Sequence, residues 1–440
     1  MRVAVIGAGI VGVTTAYELA CDGHEVTVFE RQASVAAETS FANAGVVAPG
    51  YVTPWAAPGM PGKVLRQMFG EHAAVRLARP FSPALLGWVW RWWRACRPSV
   101  HQANRSRMIR LARFSLERMH ALSAQLQLDY EQSQGLTVLL RTPRDLALAR
   151  PGVKLLAELG VNCHVVDGAR ARQIEPGLNS ETPLHAALHL PNEEVGNCRQ
   201  FAHLLKQYAQ QHGALFRFHR EVERIEPGAH PVVRHRALAR FDSTPLAGVD
   251  TTTTLPESEG SESFDAVVVC AAMESRRLLS AAKLKLPLAP VYGYSITAPM
   301  RELTEHGDVG PRSTLVDERY KVAISRLGKR VRVAGSAELG GTLQAQNEQT
   351  LATLYKVLND WFPGCAVQAK AQSWKGARPM LPDGPPVIGP SGLSGVWLNL
   401  GHGSSGWALA CGSARVLADV MAGRGAAIDI EGLGLERLRR

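Results

Sequence analysis

The sequence predicts an α/β fold in which a Rossmann-like domain is combined with a second domain built from a mainly antiparallel β-sheet and helices. Residues 3–6, 10–22 and 25–29 have the pattern of a strand, a helix and a second strand, joined by a glycine-rich turn. Residues 290–298 and 320–338 have the pattern of antiparallel strands. The chain has 440 residues, which is more than one compact core usually spans.

The turn after the first strand predicts a dinucleotide site. Gly7, Gly9 and Gly12 form a GxGxxG motif, and Glu30 ends the second strand. Gly7 allows a tight turn, Gly9 lets the backbone approach a pyrophosphate, and Gly12 allows close contact between helix and strand. Glu30 can accept hydrogen bonds from both ribose hydroxyls, and the helix N-terminus favours phosphate. The motif alone does not separate FAD from NAD, but its N-terminal position and the lack of a second copy favour FAD.

A second glycine cluster lies near the C-terminus. Gly401, Gly403 and Gly406 precede a predicted helix over residues 407–422. A flavin that accepts a hydride becomes anionic at its N1–C2=O edge, and amides at a helix N-terminus stabilise such a charge. The alternative is an ordinary glycine-rich connector. Beside the N-terminal motif, we favour a role in flavin binding.

Further motifs in the expected order resemble the small subunit of bacterial D-amino acid dehydrogenases, within the D-amino acid oxidase superfamily. The matching stretches are residues 40–45 (Ser-Phe-Ala-Asn-Ala-Gly), 49–51, 54–59, 190–194, 293–297 (Gly-Tyr-Ser-Ile-Thr), and 374–384, which lead to 401–403. The resemblance implies a D-amino acid oxidase or glutathione-reductase-like fold and non-covalently bound FAD. It also implies oxidative deamination to a 2-oxo acid and ammonia, with electrons passed to a quinone or another acceptor that is not oxygen.

The resemblance also implies roles for single residues. Arg378, in the Trp-x-Gly-x-Arg-Pro motif, is expected to pair with the substrate carboxylate, which its planar guanidinium suits; a structural ion pair is the alternative. Val222 is expected on the adenine side. The other expected cofactor-binding residues are Arg31, Ser40, Asn43, Ala44, Gly45, Ala271 and Gly376. Tyr292 replaces the Lys that is frequent in the family, and residues 270–272 lack its usual Gly, which leaves the substrate range open.

Hydride transfer from an amino-acid Cα needs alignment more than an acid–base pair. The candidate side chains beside Arg378 are Tyr51, Tyr294, Tyr320 and His402. For each tyrosine, a packed ring with a satisfied hydroxyl is an equal alternative. For His402, a structural role or a backbone contact alone is the alternative.

The positive charge of the chain is concentrated in one segment. Residues 63–118 carry twelve basic and two acidic side chains, which matches the net charge of +10 for the whole chain. Within it, residues 83–96 hold Trp88, Trp90, Trp92 and Trp93 between arginines, a composition typical of an interfacial helix on anionic lipid. The alternative is a helix with buried tryptophans and solvated arginines. No nucleic-acid motif accompanies the segment, so nucleic acid is not an expected partner.

We predict a discontinuous FAD-binding domain (1–80, 197–285 and 375–440), a substrate domain (81–196 and 286–374) and a flexible excursion at 228–263. The expected partners are a small amino-acid substrate, a membrane surface and a quinone acceptor; the sequence also allows an oligomer. The seven scattered cysteines form no CxxC pair and predict no metal site. We expect a cytoplasmic protein, with the inner face of the cytoplasmic membrane as its place if it binds lipid. Open alternatives are another amine oxidoreductase (glycine, sarcosine, proline or an L-amino acid) and a flavin-binding subunit of an electron-transfer complex.

Overall fold

The computed structural model describes residues 1–67, 72–80, 82–238, 259–301 and 309–438. The strands are β1 Arg2–Ile6, β2 Glu25–Phe29, β3 Val46–Val47, β4 Val75–Ala78, β5 Ser133–Leu140, β6 His164–Asp167, β7 Ala186–Val195, β8 Leu215–Arg217, β9 Arg220–Glu226, β10 Val232–Ala237, β11 Glu259–Ser263, β12 Ala266–Val269, β13 Ala289–Pro299, β14 Thr314–Asp317, β15 Val322–Leu327, β16 Arg330–Gly340, β17 Gln372–Met380, β18 Val387–Pro390 and β19 Val396–Leu400. The helices are α1 Ile10–Cys21, α2 Met60–Gln67, α3 Pro83–Ala95, α4 Pro98–Leu126, α5 Pro143–Glu158, α6 Gly168–Ile174, α7 Cys198–Gln211, α8 Ser275–Ala281, α9 Glu348–Trp361 and α10 Gly406–Met421.

The Rossmann-like sheet has the order β18-β19-β12-β1-β2-β8 and is parallel except for the β18–β19 pair. Four consecutive residues at the end of β1 and of β2 are buried, because layers cover both faces of a parallel sheet. Helices α1, α7, α10 and α4 form the layer on one face. The other face packs against α8 and a small antiparallel sheet of order β11-β10-β9.

The buried carboxylate of Glu18 in α1 ties the helical layer together. It accepts hydrogen bonds from Arg118 of α4 at 2.7 and 2.9 Å and from Arg415 of α10 at 2.8 Å. Burying a carboxylate is costly unless it is paired in this way. The pairing therefore sets how α10, with the glycine cluster at its N-terminus, lies against the nucleotide-binding helix α1.

The second sheet has the order β17-β13-β16-β15-β14-β5-β7-β3, with β4 paired to β16 and β6 paired to β7. Most of its pairs are antiparallel, as predicted, while β14–β5 and β16–β4 are parallel. Helix α9 packs on one face over an apolar cluster that includes Tyr294, Trp361 and Ile324. The fold class is confirmed.

The predicted boundaries of the two domains cross this sheet. β3 and β4 fall within the predicted 1–80 segment but pair with the second sheet, and the predicted boundary at 375 falls inside β17. Of the predicted excursion, residues 232–237 and 259–263 are strands β10 and β11, and residues 239–258 lie outside the described residues. Helices α3 and α4 follow one another closely along the chain, and Pro98 begins the second one.

Candidate functional site

The glycine-rich turn has the geometry that the sequence predicts for a phosphate cradle. Gly7 has a φ of +99°, which favours glycine. A Cβ on Gly12 would lie 1.9 Å from the carbonyl oxygen of Gly7, so any side chain there would force α1 away from β1. A Cβ on Gly9 would meet only the Ser40 hydroxyl, at 3.5 Å. The backbone at Gly12 therefore packs tightly against the rest of the turn, while the backbone at Gly9 is accessible to a ligand.

A cleft opens beside this turn. Glu30 lies in its wall, where its carboxylate accepts from the Ala8 and Gln32 amides at 2.7 and 2.8 Å, while burial raises its pKa. Ser40 accepts from the Ile10 amide at 3.1 Å. The predicted cofactor residues that the cleft brings together are Gly7, Gly9, Glu30, Arg31, Ser40, Val222 and Ala271.

These residues fit the dinucleotide part of FAD. The cleft combines a turn that a Cβ would fill, a half-buried carboxylate that can accept from ribose hydroxyls, and apolar residues of β1, β9 and α8. Glu30, Ser40, Val222 and the amides at the start of α1 are the groups that would hold it. The flavin part supplies a two-electron acceptor for a substrate hydrogen.

Residues 42–45 include three of the predicted cofactor-binding residues, Asn43, Ala44 and Gly45, and are called the flavin-lining segment below. This segment is hydrogen-bonded to the second sheet and to α10. The carbonyl oxygens of Ala42 and Ala44 accept from Ser295 and Ser325 of the second sheet at 2.8 and 2.7 Å. The Gly45 carbonyl accepts from the Trp407 indole at the start of α10, at 3.1 Å. Asn43 turns its side chain inward and accepts from the Gly45 amide at 2.9 Å. The segment is therefore a rigid link between the nucleotide cleft and the second sheet.

The C-terminal glycine cluster packs against the end of β17. Gly401 and Gly403 have φ values of +79° and +58°, and a Cβ on either would lie 2.4 to 2.6 Å from the side chains of Leu381 and Met380. Gly406 is the first residue of α10. Gly376 leaves room for the indole of Trp374, which a Cβ would overlap at 1.8 Å. The structure thus brings the cluster, β17 and the first turn of α10 together.

Arg378 on β17 has the environment of a carboxylate receptor. Its Nη1 donates to the Ser336 carbonyl oxygen at 2.7 Å, and its guanidinium crosses β13 at Gly293, where a Cβ would lie 2.2 Å from Nη2. Burial lowers its pKa to about 10, and within the described ranges it makes no ion pair with a carboxylate. A half-buried guanidinium without a counter-charge among the described residues favours binding of an anion.

The structure does not bring Tyr294 together with Arg378, and the sequence-based role for this hydroxyl is corrected. Register pairs Tyr294 with Lys375, whereas Gly293 pairs with Gly376, and successive side chains of a strand point to opposite faces. The Tyr294 hydroxyl donates to Glu338 at 2.8 Å, and Glu338 also accepts from Lys375 at 2.6 Å. Lys375 also lies over the ring of Tyr292, at 4.6 Å, so both tyrosines belong to this buried network.

Tyr51 and Tyr320 lie apart from that network. Tyr51 ends a short 3-10 helix and is 37% exposed; among the described residues its hydroxyl has no hydrogen-bond partner. The preceding Gly50 amide donates to the buried Glu193, whose pKa burial raises to about 7. The Tyr320 ring packs under the Arg141 guanidinium at 5.2 Å. Among the described residues, neither hydroxyl therefore has a hydrogen-bond partner, and the Tyr320 ring is held by its contact with Arg141.

His402 is buried behind the glycine cluster. Its Nε2 lies 3.0 Å from the Ser413 hydroxyl of α10, and burial lowers its pKa to about 3. The imidazole is therefore neutral at physiological pH. This placement favours the structural alternative for His402 over proton transfer.

Sequence reasoning missed several residues that complete the cleft. Thr39 donates to the Ala377 carbonyl at 2.9 Å and joins the nucleotide segment to β17. Arg277 donates to the Val222 carbonyl at 2.9 Å and pairs with Glu274, which pairs in turn with Arg31 at 3.4 Å. No spacing in the sequence marks these residues, because they converge only when α8 packs beside β9.

Comparison with known proteins agrees with this geometry. The chain is 41% identical over 442 residues to a D-amino acid dehydrogenase of Cereibacter sphaeroides, covering 99% of this chain and 95% of the relative. A D-amino acid dehydrogenase of Rhizorhabdus wittichii is 39% identical over 439 residues, covering 99% and 100%. Glycine oxidase from Geobacillus kaustophilus shares the fold with a TM-score of 0.73 at 19% identity, covering 99% of this chain and 98% of that one. Residues 2–420 match the model of the FAD dependent oxidoreductase family, and the chain belongs to that family.

Proposed function

We propose that this protein oxidises D-amino acids to 2-oxo acids and ammonia and passes the electrons to a quinone or another acceptor that is not oxygen. The observation that carries the proposal is the half-buried guanidinium of Arg378, which has no carboxylate partner among the described residues and lies on the face of the second sheet that also bears Gly293 and Gly376. A small carboxylate substrate supplies the counter-charge that this site lacks.

The described side chains account for binding and orientation. Arg378 takes the substrate carboxylate in a charge-assisted pair, which fixes the direction of the Cα–H bond. The substrate amine enters neutral, and its lone pair forms the imine as Cα loses its hydrogen with two electrons; water then releases ammonia and the 2-oxo acid. Tyr51 has the unpaired hydroxyl that can orient the substrate.

The D configuration rests on the relatives. Two proteins at about 40% identity over nearly the full length are D-amino acid dehydrogenases. Arg378, Gly293 and Gly376 do not distinguish the two enantiomers of the substrate, because the two enantiomers carry the same carboxylate.

Anaerobic titration of the purified yellow protein with D-alanine and, separately, L-alanine tests the reaction. We expect the flavin absorbance to bleach with D-alanine alone and pyruvate to appear in an amount equal to the flavin reduced. Bleaching by neither would contradict the proposal and point to proline, sarcosine or bulkier amines. Bleaching by L-alanine alone would favour an L-amino acid enzyme on the same scaffold.

We also propose that α3 places the protein on an anionic membrane surface, where a quinone acceptor is available. Its tryptophans divide between two faces: Trp88 and Trp92 are buried, while Trp90 and Trp93 are 58% and 51% exposed and stack at 5.1 Å. The indole of Trp88 donates to the Met380 carbonyl at 2.9 Å, which anchors the helix to the end of β17. In the part of the chain that the structure describes, no helix is long and apolar enough to cross a bilayer.

A further inference from the structure

A second cavity, of about 370 Å³, is lined by Phe41 and Ala42 at the start of the flavin-lining segment. It is bounded by residues 41–42, by the first turn of α7 and by the ends of β13, β16 and β17. It shares no lining residue with the nucleotide cleft. Along β17 it reaches Trp374, four positions before Arg378, which corresponds to roughly 13 Å of extended strand. Arg378, Gly376 and Gly293 are not among the described lining residues of this cavity.

The lining of this cavity is strongly cationic. It contains Arg199, Arg330, Arg332 and His203, and none of its described lining residues carries a carboxylate. The nucleotide cleft, by contrast, contains the carboxylates of Glu30, Glu38, Glu221 and Glu274. Within the described ranges, Arg330 pairs with an acid, Glu131, at 2.6 Å, and the other two arginines make no ion pair.

Arg332 and Arg199 retain donor capacity without a counter-charge. Arg332 is 5% exposed, and its described hydrogen bonds go to the Thr297 hydroxyl at 2.9 Å and the Asn43 carbonyl at 3.0 Å, both neutral. Burial and the neighbouring Arg330 lower its pKa to about 10. The Nε of Arg199 is buried without a hydrogen-bond partner. Two guanidinium groups held this way favour an anion between them.

Two further features define the ligand. The aromatic side chains of Phe41 and Trp374 line the cavity, and the Arg199 guanidinium lies 4.3 Å from the centre of the Phe41 ring. Asn197 caps α7, so the amides of the first helical turn and their partial positive charge lie at the same wall. Cationic groups beside aromatic surfaces suit an oxyanion attached to a flat apolar body.

We propose that this cavity is a second ligand site, for a small aromatic carboxylate whose oxygens pair with Arg199 and Arg332 and whose ring packs against Phe41 and Trp374. The site is independent of the reaction proposed above. Because Arg332 also holds the Asn43 carbonyl, a ligand here contacts the same arginine that braces the flavin-lining segment.

Calorimetric titration of the holoprotein with benzoate tests the site. The Arg378→Gln variant serves as background, so that binding at the substrate site does not contribute. We expect benzoate to bind this variant, and Arg199→Gln added to it to weaken binding about tenfold, as loss of one charge-assisted contact implies. Lys206→Gln is the matched control, since it removes one positive charge from the same helix at a residue outside the lining. We expect it to leave benzoate binding unchanged.

Three results would overturn the proposal. They are no benzoate binding to the Arg378→Gln protein, equal effects of Arg199→Gln and Lys206→Gln, and Arg199-dependent binding of inorganic phosphate without binding of benzoate. Crystals of the unmodified protein soaked in 4-bromobenzoate give a second measurement that needs no variant. The anomalous bromine signal is expected beside Trp374, and a signal only at Arg378 would contradict the second site.

Discussion

At the scale of single residues, the site depends on groups whose neighbours in the fold leave them able to contact a ligand. Among the described residues, Arg378 has a backbone partner and no carboxylate, and a Cβ would fit at Gly9 but not at Gly12. Sequence motifs identify these residues, but the same motifs do not reveal that Tyr294 is engaged by Glu338. Whether a side chain can bind a ligand or only packs in the fold therefore depends on its hydrogen-bond partners within the protein.

Replacing Arg378 tests the carboxylate site directly. Arg378→Gln should lower kcat/KM for D-alanine by about a hundredfold or more, because a buried charge-assisted pair contributes about 3 kcal/mol. Arg378→Lys should recover part of the loss, since it restores the charge but not the planar fork. Steady-state kinetics with FAD-saturated variants provide the measurement. An unchanged kcat/KM in Arg378→Gln would rule out this residue as the receptor.

The two glycines of the turn should respond differently to alanine. In Gly12→Ala the new Cβ would lie 1.9 Å from a backbone oxygen, so we expect loss of folded protein or a much lower Tm. In Gly9→Ala the Cβ has ordinary contacts, so the apoprotein should melt near the wild-type temperature but bind FAD weakly. Thermal melts and FAD content of the purified variants distinguish these outcomes. Equal FAD binding by Gly9→Ala and the wild type would contradict the cradle.

The buried imidazole of His402 predicts a pH dependence of stability. Its pKa is about 3 when folded and about 6.5 when exposed, so the unfolded chain binds the extra proton. The stabilisation is complete above pH 6.5 and is lost as the pH falls toward 3. The amount lost at pH 5 is about 2 kcal/mol. Urea unfolding of the wild type and His402→Gln at pH 5 and 7.5 measures it. The difference in free energy of unfolding between the two proteins should be smaller at pH 5, and a constant difference would contradict the assignment.

At the scale of elements, α3 and β17 each have one face that packs in the fold and one face with a proposed function. The exposed face of α3 presents Leu86, Val89, Trp90 and Trp93, while its opposite face joins the apolar cluster under β17. In β17, one face carries Arg378 and Gly376 and the other carries Lys375. Alternation in a strand and the turn of a helix thus separate a functional face from a packing face.

Membrane binding should depend on the exposed face of α3. We expect the protein to co-sediment with vesicles that contain phosphatidylglycerol, less with phosphatidylcholine alone, and less as salt increases. Replacing Trp90 and Trp93 by Ser should reduce co-sedimentation about tenfold, since the indoles supply the buried area. Leu148→Ser, at another exposed apolar position on α5, is the control and should bind as the wild type does. Equal binding by all three proteins would rule out α3 as the contact.

At the scale of the whole molecule, the binding site is built where the two sheets meet. Ser295 and Ser325 of the second sheet hold residues 42–45, and Trp407 of the Rossmann-like part holds Gly45. A ligand in this region contacts elements of both sheets, so its binding free energy adds to the stability of the combined unit.

We therefore expect FAD to raise the Tm of the entire chain in one cooperative transition. At a free FAD concentration a hundred times its Kd, the gain is about 2.7 kcal/mol. Calorimetric scans of apoprotein and FAD-saturated protein test this, with adenosine monophosphate as the control for the adenine half alone. A shift confined to one of two separate transitions would show that the sheets unfold independently.

The sequence alone determined the parts of this protein that depend on local spacing. The strand, glycine turn, helix and acidic strand end of residues 3–30 lie close together along the chain, so their pattern specifies the nucleotide turn before any tertiary contact forms. The antiparallel second sheet and the Arg378 motif were predicted from the residue pattern and the family resemblance. The tertiary structure decided which partners Tyr294 and His402 have and which sheet β3 and β4 join. It also decided that Arg199 and Arg332 meet in a cationic cavity. The reason is physical: these features join residues up to several hundred positions apart, and register and packing, which local patterns do not encode, determine which side chains meet.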